Sequence, residues 1–146
     1  MMNEVGLITN PMQSLVRLRE ELSNPPFHDV LGPVAERVEA DGTVVVRLPY
    51  QPEFCGRRGG AFFHGGVIAS LVDIAAHAAV ATRTGRMAPT IDLRIDYLKA
   101  APATELFATA RVLRLGRSVS RADVEIRCAA GELVAVGRGT FSTLIN

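Results

Sequence analysis

The sequence predicts an α+β fold in which one antiparallel sheet curls around a single long apolar helix. Three observations predict it. Val67 to Thr82 run sixteen residues without proline or glycine, with Ala, Leu, Val and Ile on every side of a helical wheel, and a helix apolar all round is a buried one. Further on, Ile91, Leu93, Ile95 and Tyr97 alternate with Asp92, Arg94 and Asp96, the period of a strand wet on one face. Two strand-like segments precede the helix and four follow it, with no repeat or linker between them, so the pieces close around one core.

Composition sets the outer limits. A chain of 146 residues fits one domain with one core, and 48% apolar with 21% charged residues is an ordinary globular balance. A net charge of +1 lacks the basic excess of a nucleic-acid binder. Cys55 and Cys128 form no CxxC and no metal-ligand spacing, and Met1 to Gly6 lack the blocks of a signal peptide. The thiols therefore read as reduced and the protein as cytoplasmic. No metal or other cofactor is expected. At about 1.5 Å per residue the sixteen-residue run makes a rod of roughly 24 Å, too short to cross a bilayer, so no membrane partner is expected.

Taken in order, the chain opens with a helix from Pro11 to about Ser23. Asn10 can cap it, Pro11 suits its first position, and Leu15, Leu18 and Leu22 form its single apolar stripe. Asn24-Pro25-Pro26 ends it, and Phe27 to Val34, without a clear period, reads as a loop. Ala35 to Ala40 and Thr43 to Leu48 read as strands joined by Asp41-Gly42, a two-residue hairpin signal. Pro49 to Ala61, with three glycines and Arg57-Arg58, reads as a mobile basic loop. Gly85 closes the helical run. Three further strands follow Ile91–Tyr97: about Thr104 to Leu113, then a run in which Ala122, Val124, Ile126 and Cys128 alternate with charges, then Leu133 to Thr143. In the last, Gly137 and Gly139 leave room for a bulge or a close neighbour.

Two features of the central helix point to chemistry. His64-Gly65-Gly66 marks its start, where backbone N–H groups lack intrahelical partners and the dipole is positive, so that end suits an oxyanion. Asp73 lies mid-helix, and a carboxylate in apolar surroundings is costly unless paired, hydrogen-bonded or protonated. Bonding to Ser70, or to His77 one turn on, would be a purely structural explanation for it. His77 itself reads as a satisfied helix histidine, since Asp73 and His77 are too few ligands for a metal. For Cys55 as a nucleophile the sequence supplies no nearby histidine and no sign of a lowered pKa.

Phe63-His64-Gly65-Gly66, an aspartate nine residues after the histidine on an apolar helix, and then Ala88-Pro89-Thr90-Ile91-Asp92-Leu93-Arg94-Ile95-Asp96-Tyr97-Leu98 together resemble the hotdog-fold acyl-CoA thioesterases. The branch most resembled is the phenylacetate-pathway thioesterase family. The likeness covers about residues 34–146, leaving 1–33 as an N-terminal helix and loop extension. It implies a hotdog fold and thioester hydrolysis at a subunit interface. Gly65 N–H would polarise the carbonyl, His64 would shape the turn, Asp73 would activate water or attack directly, and Thr90 would orient the water. Gly66 and the arginines Arg114, Arg117 and Arg121 would contact substrate, the arginines at the nucleotide phosphates or else as a solvated hairpin tip.

The spacing supports a shared site separately. Gly65 and Asp73 are eight residues apart, about 12 Å along a helix, so no single carbonyl touches both. One subunit's Gly65 must meet the other's Asp73, as a two-fold dimer allows, and dimers of dimers are common in the resembling family. Related enzymes often carry asparagine six residues before the histidine, where this chain has Arg58. That arginine is a candidate hydrogen-bond donor or coenzyme A contact, or a sign of altered activity. Two other readings stand beside hydrolysis. One is an acyl-thioester hydratase or dehydratase with His64 as second acid/base; the other is a non-enzymatic acyl-CoA binder.

Overall fold

The computed structural model describes residues 10–145; the reading of Met1 to Gly6 lies outside them. Helix α1 (Pro11–Ser23) is capped by the Asn10 side chain, which accepts from the Met12 N–H at 2.9 Å. Leu18 and Leu22 are buried, and the helix packs across β1 and the central helix. The expected loop at Phe27–Val34 is instead a short helix, α2 (Pro26–Leu31), followed by β1 (Val34–Val38). Six residues are too few to display a helical period. Proline at the first turn and Gly32 in the left-handed conformation (φ 75) nevertheless mark both ends of α2.

β1 and β2 (Val44–Leu48) form the expected hairpin, but its loop is one residue longer than a two-residue turn. Glu39 N–H donates to Thr43 O at 2.8 Å, enclosing Ala40, Asp41 and Gly42. Gly42 takes φ 88, the left-handed residue that closes a three-residue loop. The stretch Pro49–Ala61 is fastened rather than loose. It carries a 3-10 turn at Pro52–Phe54, and bridges tie Cys55 to Phe63 and Phe62 to Pro102.

Helix α3 (Gly65–Thr84) is longer than the run without glycine. At 20 residues it is long and apolar enough to cross a membrane, which corrects the expected rod length. Here it is the core helix, with eleven buried residues facing the sheet and α1. It is not buried all round. Gly66, Ala69, Ser70, Asp73 and His77 form a stripe that stays partly or wholly open. Its other side lies close on the sheet because two positions there lack side chains. A Cβ on Gly137 would lie 2.5 Å from Val72, and one on Gly139 3.2 Å from Ala76.

The remaining strands are β3 (Thr90–Tyr97), β4 (Leu106–Arg114), β5 (Val119–Cys128) and β6 (Leu133–Ser142). All six strands form one antiparallel sheet in the order β1-β2-β4-β5-β6-β3. The first strand after the helix therefore ends at the far edge, paired with the last. Register carries Thr90, Leu93, Ile95 and Tyr97 to the face shared with Phe141, Gly139 and Gly137, the face that meets α3. A register shift between Thr90 and Asp92 displaces Ile91, which is 58% exposed.

Candidate active site at the start and middle of the central helix

The turn that opens α3 is held from several sides. Phe54 and Phe63 are buried, Tyr50 meets Phe63 edge-on at 5.0 Å, and His64 N–H donates to Phe54 O at 2.7 Å. This aromatic anchor is why the loop before the turn is ordered. His64 is the N-cap residue: its Nδ1 accepts from Gly66 N–H at 2.8 Å, and its carbonyl accepts from Val67 and Ile68. Gly66 allows that approach, since a Cβ there would stand 3.0 Å from the imidazole. Of the first four N–H groups of α3, three are thereby taken. Among the described residues, Gly65 N–H is left without an acceptor.

Asp73 is half-buried and bonded neither to Ser70 nor to His77, contrary to the structural explanation. Ser70 donates to Gly66 O at 2.9 Å, and Thr90 Oγ1 donates to Asp73 Oδ1 at 2.8 Å. Thr90 thus holds the carboxylate itself. His77 is satisfied, as expected of a helix histidine: Nε2 accepts from Ala88 N–H at 3.1 Å and Nδ1 lies 3.0 Å from Glu21 Oε1. Tyr97, read from the sequence only as a strand residue, donates its hydroxyl to Gly65 O at 2.7 Å. Its alternation did place it on the helix-facing side. No pattern in the sequence linked it to the turn, because the pairing that brings it there is long-range.

Arg58 is exposed at the tip of the Cys55–Phe63 loop, beside Gly59 at φ 75. Arg114 and Arg121 face each other across β4 and β5, with Arg117 in the turn between, and all three are exposed. Cys55 differs from expectation: its thiol is held below the ordinary value, first by hydrogen bonding to the Arg57 backbone. Cys128 is buried and both cysteines are free. Among the described residues no group of three or more His, Cys, Asp or Glu side chains could hold a metal. A cavity of about 670 Å³ lies on the sheet face turned from α3, bordered by Arg94, Arg111, Asp123 and Arg138, and neither Asp73 nor Gly65 lines it.

A helix whose first amide has no acceptor among the described residues can donate to an oxyanion, and a mid-helix carboxylate held by a threonine can take up a proton. Residues 60–135 match the family model of the thioesterase superfamily. The chain belongs to that superfamily.

Its relatives within the superfamily include the medium/long-chain acyl-CoA thioesterase YigI of Escherichia coli K12, 33% identical over 132 residues, 80% of this chain and 84% of the relative. A solved thioesterase-superfamily protein overlays with a TM-score of 0.84 at 29% identity, covering 88% of this chain and 97% of that one. The E. coli PaaI protein of the phenylacetic acid degradation operon overlays at 0.80 and 26% identity, covering 93% and 96%. The hotdog architecture implied by the resemblance is thus the fold, and membership makes the chain a thioester hydrolase. The superfamily match takes in the turn, Asp73, Thr90 and Tyr97 but begins after α1.

Proposed function

We propose that this protein is an acyl-CoA thioesterase in which Asp73 is the general base or nucleophile and Gly65 N–H the oxyanion donor. The observation that carries the reading is the half-buried Asp73 carboxylate, held by Thr90, on the same helix whose first N–H has no acceptor among the described residues. As base, Asp73 takes a proton from water while the water oxygen bonds to the carbonyl carbon. The carbonyl oxygen gains charge against Gly65 N–H, the C–S bond breaks, and the thiolate leaves and is protonated. The products are a carboxylic acid and coenzyme A. As nucleophile, Asp73 would form a mixed anhydride that water then cleaves. A thioester has a good leaving group, so one carboxylate and one or two donors suffice.

The roughly 12 Å between Gly65 and Asp73 along α3 favours a site completed by a second copy. The β3 edge supports this: among the described residues one side of the strand has no hydrogen-bonded neighbour, and Ile91, Tyr97 and Leu98 are more than half exposed. A dimer, and from it a dimer of dimers, would cover these residues and the open stripe of α3. Arg114 and Arg121 stand opposite each other as like charges, which repel; phosphates of coenzyme A between them and Arg117 would relieve that repulsion. Arg58 is a second candidate for those phosphates. The free thiols fit a cytoplasmic setting.

A hydratase or dehydratase would need His64 as its second acid/base; with Nδ1 accepting from Gly66 N–H, that part would fall to Nε2. The deciding experiment is a thiol-release screen over short, medium, long and aryl acyl-CoAs. YigI, named for medium and long chains, suggests that those chains react fastest. Release of free thiol with a matching acid supports the assignment. Tight binding without thiol over hours would instead make the protein an acyl-CoA binder.

A further inference from the structure

The role of α1, which lies before the superfamily match, follows from one side chain of α3. His77 sits one turn after Asp73, with its ring fully engaged. Ala88 N–H can only donate, so Nε2 accepts, and the ring hydrogen therefore belongs on Nδ1, pointing at Glu21 Oε1 3.0 Å away. The ring also packs against Phe141, centroids 5.8 Å apart, and Phe141 is the register partner of Thr90. Ala88 is 1% exposed and stands two residues before Thr90. Adjacent turns of α3 thus grip the start of β3 twice, at Ala88 through His77 and at Thr90 through Asp73.

We propose that Glu21 and His77 are positioning residues: the chain from Glu21 through His77 to Ala88 N–H fixes the start of β3, and so fixes Thr90 against the Asp73 carboxylate. Glu21 selects the tautomer. Without its carboxylate the hydrogen can move to Nε2, where it would confront Ala88 N–H, and the entry to β3 would lose its hold. The Glu21 carboxyl is held below its usual range, first by its hydrogen bond with His77, which fits that coupling. Helix α1 is in this way part of the site's support. The inference rests on the reading of Asp73 as the reacting carboxylate.

The test compares full-length wild type, His77→Leu, His77→Gln, Glu21→Leu and Asp73→Asn for hydrolysis of decanoyl-CoA. Glutamine can both accept from Ala88 N–H and donate to Glu21; leucine can do neither. His77→Leu and Glu21→Leu should lower kcat about tenfold with little change in KM, and His77→Gln should recover most of it, since small displacements of a reacting group cost rate. Wild-type kcat in a folded His77→Leu or Glu21→Leu protein, or a glutamine variant no better than leucine, overturns the inference. If Asp73→Asn keeps wild-type turnover, the assignment of Asp73 fails instead. A further measurement needs no turnover. Long-range ¹H–¹⁵N spectra of the wild type should show the His77 hydrogen on Nδ1, and a ring protonated only on Nε2 overturns the inference.

Discussion

Thr90 Oγ1 donates to Asp73 Oδ1 at 2.8 Å, joining the first residue of β3 to the middle of α3. The bond orients the carboxylate and leaves Oδ2 for a proton or an acyl carbon. Asp73→Asn keeps the shape but removes the base, so thiol release should fall by about 10² to 10⁴ while the melting temperature holds. Thr90→Val removes a hydrogen bond to a charged group, worth about 1.5–3 kcal/mol, and should cost tenfold or more in kcat. Thr90→Ser should restore most of it. Full activity in Thr90→Val would count against the threonine's part.

Gly65 offers a separation of backbone from side chain. Proline there deletes the N–H at a position where proline is at home, and His64 already has the extended conformation (ψ 136) that a residue before proline adopts. Gly65→Pro should fold and lose about 10² to 10³ in kcat, as loss of an oxyanion donor does. The nearest atoms to a Cβ at this position belong to Tyr97, at an ordinary 3.5 Å, so Gly65→Ala should remain active. Mixing inactive Gly65→Pro with inactive Asp73→Asn protein should restore about a quarter of wild-type activity if each site draws on two chains, because half the dimers are mixed and each holds one intact site. No recovery after verified subunit exchange would place the site within one chain.

Gly137→Ala is a stability test. The added Cβ would fall 2.5 Å from Val72 and 3.0 Å from Arg94 O, so α3 must lift from β6. Overpacking of this kind costs about 1–3 kcal/mol, which thermal unfolding will register as a lowered melting temperature. An unchanged value would mean that helix and sheet do not meet as closely as described.

Glu21 sets an acid dependence. Its folded-state pKa lies below the ordinary 4.5, chiefly through the hydrogen bond with His77. A depressed carboxyl contributes stability that is present above about 4.5 and lost as the pH falls through its lower folded value. The difference in melting temperature between wild type and Glu21→Gln should therefore be largest above about 4.5 and shrink as the pH falls through the lower folded value. A difference that stays constant over that range would contradict the pairing.

Much of this architecture is legible in the residues. The apolar run after His64-Gly65-Gly66 read as a buried helix, and Asp73 within it asked for a partner. Gly137 and Gly139 left room for a bulge or a close neighbour, and the neighbour is α3. The short helix α2 escaped notice because one and a half turns show no period, and the loop before the turn looked loose because the packing of Phe54, Phe63 and Tyr50 is not a sequence pattern. Tyr97 and Glu21 escaped for the same kind of reason. Each reaches its partner, Gly65 or His77, from a different element of the fold.

Periodicity and turn residues report which face of a segment is dry and where the chain bends, and from these the single sheet, the central helix and the two candidate groups on it could be read. Strand pairing is different in kind. β3 hydrogen-bonds to β6, with paired residues 38 to 51 positions apart, and nothing local distinguishes that neighbour from β4. Yet this pairing delivers Thr90 to Asp73, Tyr97 to Gly65 and an open apolar edge to the surface. The choice belongs to the packed core, because it depends on which arrangement of all six strands covers α3.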